Sequence, residues 1–148
     1  MSPSRKKLYG KNFLWFATDS QHRLGFFLSG YGPIPKVALN AKENDYLDLK
    51  KFLEEVFIAD GKSTLSKYAR KELAKSQGSY ELHKNFAKKG CYVYEYEDYK
   101  GPYRLIAVPQ TPKILNDMPA NLRGMIFKFD FLFENTNSIE LFDSDDFE

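Results

Sequence analysis

The sequence predicts an α+β fold, a mainly antiparallel sheet with about three helices packed on one face. Three observations carry this. Strand-type alternation opens the chain, apolar residues at helical spacing fill its middle, and alternation returns toward its end. Strands that return through short turns favour antiparallel pairing. No internal repeat divides the 148 residues, and neither does a linker rich in Pro, Gly or Ser. One domain over 1–148 is expected, with the basic segment 1–10 and the acidic tail 143–148 frayed.

The first strand is expected from Phe13 to Thr18. Phe13, Trp15 and Ala17 share one face, and Leu14 and Phe16 share the other. The second runs from Leu24 to Ser29, where Leu24, Phe26 and Leu28 alternate with Gly25 and Phe27. Both faces are apolar, so something must pack on each side. Asp19 to His22 form the turn, with Asp19 able to bond its own backbone. The loop that follows, with Gly30, Gly32, Pro33 and Pro35, reads as structural. The glycines permit positive φ and the prolines stiffen the exit from the sheet. It lacks the ending of a phosphate-binding loop.

From Asn44 or Asp45 the period changes. Leu49, Phe52, Leu53, Val56 and Phe57 mark one stripe of a helix from Asp45 to Ile58, ended by Asp60-Gly61. A second helix is expected from Ser63 or Thr64, with Leu65, Tyr68, Ala69 and Leu73 inward. A third opens at Ser79 as cap, uses Leu82 and Phe86, and stops at Lys88-Lys89-Gly90. Cys91 to Glu97 and Tyr103 to Val108 then flank a turn and form a hairpin. Prolines 109, 112 and 119 keep 109–124 irregular, with one helical turn after Pro119. Met125, Phe127, Phe129, Phe131 and Phe133 alternate with Lys128 and Asp130 as a half-buried strand, and a last strand lies near Ile139 to Phe142.

Composition narrows the function. No apolar run is long enough to span a membrane, and the basic N-terminus lacks the apolar core of a signal peptide. With a single cysteine and no export signal, a cytoplasmic protein is expected. No cofactor is expected and no small-molecule substrate is evident. His22, His83 and Cys91 lack metal-ligand spacing, so no metal is expected either. His83 is expected to face solvent or cap its helix, and Cys91 to be a small buried hydrophobe. Glu95 and Glu97 lie about 7 Å apart on one strand face, which would suit an acid/base pair. A solvated strand face is the stronger reading, and no catalytic residue is assigned.

Two surfaces remain as partner-binding candidates. Tyr92, Tyr94 and Tyr96 form a stripe with Tyr99 close by; exposed, it anchors a protein interface, and buried, it is core. The other is the cationic helix face of Lys67, Arg70, Lys71 and Lys75. Charge is segregated around it: residues 61–90 hold eight bases against Glu72 and Glu81, and the last fifteen residues are acidic with no base. Two explanations stay open, electrostatic steering of a partner and attraction between basic helix and acidic tail. A nucleic-acid accessory role is the alternative use of the basic face. It ranks lower, because Lys predominates and no nucleic-acid-binding signature is present.

The stretch FATDSQHRLGFFLSGYGPIP resembles the opening of immunity proteins of bacterial polymorphic toxin systems. Tyr103 to Pro109 and Leu115-Asn116-Asp117-Met118-Pro119 resemble their second half. His22-Arg23 stands where that pattern often has glycine. The resemblance implies a stoichiometric, non-enzymatic protein that binds a cognate toxin and blocks it. It transfers no binding residues.

Overall fold

A computed structural model of the chain describes residues 14–30, 32–39, 47–49, 51–52, 54, 61–75, 79–97, 101–141 and 147. The expected helix cap at Asn44 or Asp45, the stripe residues Leu53, Val56 and Phe57, Tyr99 and segment 1–10 lie outside these. The fold is α+β with a mixed sheet of seven strands. β1 (Leu14–Thr18) and β2 (Leu24–Leu28) form the predicted opening hairpin, Trp15 opposite Phe27. β3 is Ser63–Leu65, β4 Tyr92–Tyr96, β5 Tyr103–Pro109, β6 Phe127–Lys128 and β7 Ser138–Ile139. The order is β3-β5-β4-β2-β1-β6, with β7 also pairing β5.

The β4–β5 hairpin is antiparallel, as predicted, and so are β3–β5 and β5–β7. The centre is not. β4 lies parallel to β2, and β6 parallel to β1. A parallel neighbour requires a long crossover, and residues 29–91 with all their helical segments supply it. The helical middle is therefore the connection that makes the sheet mixed.

Side-chain parity follows the sequence closely in β1 and β2. Phe16, Leu24, Phe26 and Leu28 enter one core with Val93, Ala107, Phe86 and Ala87; the helical residues Leu49 and Phe52 join it. Trp15, Ala17 and Phe27 enter a second core on the opposite face. Helices cover both faces rather than one. α1 (Lys36–Leu39) buries Ala38 and Leu39 in the second core, whereas α3 (Glu81–Lys88) buries Phe86 and Ala87 in the first. With both faces of β1 and β2 apolar, water had to be excluded twice.

Most of the second cover is irregular chain. Phe127 and Lys128 alone form a strand in the expected run, yet alternation persists as burial: Phe129 is buried, Asp130 exposed, Phe131 half-buried. Phe129 N–H donates to Thr18 O at 2.8 Å and Ser20 N–H to Phe131 O at 2.9 Å, after which the chain turns into a 3-10 helix at Phe133–Asn135. The 3-10 helix Ala120–Met125 follows Pro119, where one helical turn was expected. Phe147 is buried in the second core and bridges Pro35, so at this position the tail is anchored rather than frayed.

The second helix starts later than its spacing predicts. Ser63–Leu65 pairs with β5, and α2 runs Lys67–Lys75 with Ser66 as cap, its Oγ accepting from Ala69 N–H at 3.1 Å. α3 has no side-chain cap from Ser79, since its first flanking residue is Tyr80. It is also rotated: Leu82 is 52% exposed, while His83, Phe86 and Ala87 face in.

Candidate functional site

The turn after β1 builds a polar node inside the fold. Asp19 is fully buried, and its Oδ1 accepts from the backbone N–H groups of Gln21 and Arg23 at 3.0 and 2.9 Å. Its Oδ2 accepts from Arg23 Nε at 2.8 Å and from Phe133 N–H at 3.3 Å. Arg23 reaches on to Tyr92 Oη and Glu134 Oε2, both at 3.2 Å. This node ties the hairpin turn to the C-terminal cover. Both carboxylate oxygens of Asp19 are satisfied from within the fold.

Of the two readings open for the tyrosine stripe, surface and core, the described residues take the second. Tyr92 and Tyr94 are buried, and Tyr96 is half-buried against the same cluster. The rings find company in aromatic packing: Tyr94 stacks on Phe27 with centres 4.9 Å apart. The Tyr92 hydroxyl accepts from Arg23, and two other hydroxyls find backbone. Tyr94 Oη donates to Thr136 O at 2.6 Å, and Tyr103 Oη donates to Pro33 O at 2.8 Å. A face whose opposite side carries Cys91 and Val93 has apolar cover on both sides, which is why the phenols point to loop carbonyls instead of a partner.

The Gly-Pro loop is structural, in part by another route than expected. Gly30 takes positive φ, 49°. Gly32 does not; a Cβ there would sit 2.5 Å from Tyr96 ring carbons, so close approach excludes a side chain. Pro33 offers the carbonyl that Tyr103 uses, and Pro35 starts α1's backbone bonding by accepting from Ala38 N–H at 3.0 Å.

The cationic face stands out in water. Lys67, Arg70, Lys71 and Lys75 are all exposed along α2, whose inward Ala69 is fully buried. Among the described residues only Lys75 of the four meets a carboxylate, Glu72 at 4.0 Å. Such an i,i+3 surface pair neutralises little. A short helix thus presents four exposed cations over about two and a half turns.

Glu95 and Glu97 sit on one face of β4's end but serve different partners. Glu95 Oε2 lies 3.5 Å from His83 Nε2, and Glu97 Oε2 accepts from Arg104 Nε at 2.8 Å. Each carboxylate faces its own counter-group, so they do not flank a shared space as an acid/base pair does. His83 itself is buried, against the expectation of a solvent-facing or capping residue. The spacing of His83, Phe86 and Ala87 marks the buried side of α3, a signal that the greater hydrophobicity of Leu82 masked. Cys91 is fully buried and burial pushes its thiol up to about 12. Among the described residues no three His, Cys, Asp or Glu side chains converge to hold a metal, and no helix is long and apolar enough to cross a membrane.

Comparison of the chain with family models, curated proteins and solved structures returns no match.

Proposed function

We propose that the chain is a non-enzymatic binding protein, and specifically a cytoplasmic immunity protein that neutralises a cognate bacterial toxin by direct contact. The cationic face of α2 carries this reading. Four exposed basic side chains on a helix locked to the sheet offer charge complementarity and speed of encounter, which stoichiometric inhibition requires. The buried aromatic cores supply the rigidity that keeps such a surface preorganised. The resemblance in the opening hairpin and in Tyr103–Pro109 supplies the toxin as partner.

Protein is favoured over nucleic acid by what is missing from the surface. The large exposed hydrophobic residues described are Val37, Leu47, Leu82 and Ile114, all aliphatic, so among the described residues no exposed ring offers a stacking platform for bases.

Co-expression with the toxin encoded beside the gene tests the reading. The chain should rescue growth and co-purify with the toxin, and a K67E/R70E/K71E/K75E variant that keeps the native circular dichroism should lose both. Rescue unaffected by the fourfold reversal would remove the α2 face from the interface. Absence of any neutralised neighbour, together with steeply salt-dependent binding to DNA or RNA, would replace the reading with the nucleic-acid one.

A further inference from the structure

Two half-sites stand side by side on the helix-covered face of the β4–β5 hairpin. In one, Arg104 Nε donates to Glu97, and the guanidinium carbon lies 5.1 Å from the centre of the Tyr68 ring. A phenol ring and a carboxylate there hold a cation that the chain itself provides. In the other, Tyr80 meets His83 edge-on with ring centres 5.0 Å apart, and His83 Nε2 faces Glu95 Oε2 at 3.5 Å. The same pieces recur: a phenol, a carboxylate, and here a buried imidazole. His83 is 8% exposed, and among the described residues neither of its ring nitrogens makes a hydrogen bond.

Negative charge converges on both rings. Burial first, and then nearby carboxylates, raise the two phenols: Glu97 and Glu72 act at Tyr68, and Glu95 and Glu72 at Tyr80. Among the described residues no Lys or Arg is stacked on Tyr80 or paired with Glu95. An aromatic wall beside a half-buried carboxylate attracts a compact cation more strongly than open water allows, because both groups are partly desolvated before the ligand arrives.

We propose that Tyr80, His83 and Glu95 form a binding site for a compact organic cation, an alkylguanidinium or alkylammonium group, in the manner in which Tyr68 and Glu97 hold Arg104. Glu95 supplies the counter-charge and Tyr80 the ring, and the buried imidazole of His83, in contact with both, backs the site. The site is independent of the α2 cationic face and of the toxin-binding reading. Its ligand is either a free amine or an Arg or Lys side chain of a protein partner.

The chain contains two histidines, which makes the test direct. His22 is exposed in the first turn and serves as internal control for His83 in imidazole proton NMR. Titration with millimolar agmatine should move the His83 signals and leave those of His22 in place. Glu95→Gln and Tyr80→Leu should each weaken the response about tenfold, and Glu140→Gln, on the exposed surface, should not. A capped Gly-Arg-Gly peptide forms the second arm. A response to the peptide alone assigns the site to a partner's side chain, and a response to agmatine assigns it to a free amine. Silence in both arms, or a response undiminished in Glu95→Gln and Tyr80→Leu, overturns the proposal.

Discussion

Asp19, with no exposed surface, is gripped by Arg23 through both Nε and Nη2 at 2.8 Å, four residues along the same turn. The pair is local in sequence but not in consequence, since Asp19 also accepts from the backbone of Phe133. Asp19→Ala removes the acceptor from three backbone N–H groups and takes from a largely buried guanidinium its closer carboxylate, leaving Glu134 at 3.2 Å. The expected loss is about 3 kcal/mol or more. Asp19→Asn keeps one oxygen acceptor and should lose less. Urea denaturation of both variants measures this, and an alanine variant within 1 kcal/mol of wild type, on the order of a single hydrogen bond, would contradict it.

Tyr103 links three segments by one hydroxyl. It donates to Pro33 O and accepts from Trp15 Nε1 at 3.2 Å, joining β5, the Gly-Pro loop and β1. Tyr103→Phe leaves a part-buried carbonyl and a buried indole N–H without this partner, at a cost of about 2 kcal/mol. Tyr96→Phe, on a half-buried ring, should cost less. Thermal unfolding of the two variants side by side checks the order, and equal losses would contradict it.

How far the sequence discloses this molecule depends on which period governs each segment. The two-residue period of Phe13 to Ser29 assigns faces well, because both strands are regular and lie inside the sheet. The Phe127–Phe133 run shows its buried side but not its backbone. Four alternating apolar residues need only one wall to pack on, and loop backbone provides that as readily as a strand when Thr18 and Ser20 satisfy its polar groups. Leu65, Tyr68, Ala69 and Leu73 fit a helical stripe, so the short pairing of Ser63–Leu65 with β5 was hidden beneath a longer period. The parallel β2–β4 contact is a tertiary choice across more than sixty residues, and no local pattern encodes it. His83 with Glu95 is of the same kind: one residue on a helix, the other on a strand, brought together only by packing.

Alkaline pH should destabilise the fold. Burial holds the Cys91 thiol up at about 12 against an ordinary 9.0, and Tyr68 at about 12 against 10.0. A raised acid pKa in the folded state means that the unfolded chain loses its proton first. The stabilising contribution is therefore complete below the unfolded values, declines as pH rises from 9 through 12, and is gone above the folded ones. Tyr92 and Tyr94 are also raised, chiefly by burial, and act in the same direction. Denaturant midpoints should fall between pH 8 and pH 11, and Cys91→Ala should flatten the lower part of that fall. A midpoint rising with pH over this range would contradict the assignment.

Phe147 ties the far end of the chain to its start. Its ring lies 4.7 Å from that of Phe127 and 6.4 Å from that of Trp15, and its backbone bridges Pro35 just before α1. Phe147 is 8% exposed in the second core, which it shares with Ala38 and Leu39 of α1. Phe147→Ala should cost about 2 kcal/mol, at the low end for a buried phenylalanine because the site lies at the rim of the cluster. Phe147→Leu should recover roughly half of this through retained apolar area. The loss should fall on the Trp15 side alone. Trp15 fluorescence should then shift to longer wavelength in Phe147→Ala, while the aromatic pair Phe26–Phe86 on the opposite face, stacked at 3.9 Å, keeps its packing. If stability and tryptophan emission in Phe147→Ala both match wild type, the tail does not close this core, and the bridge to Pro35 is incidental.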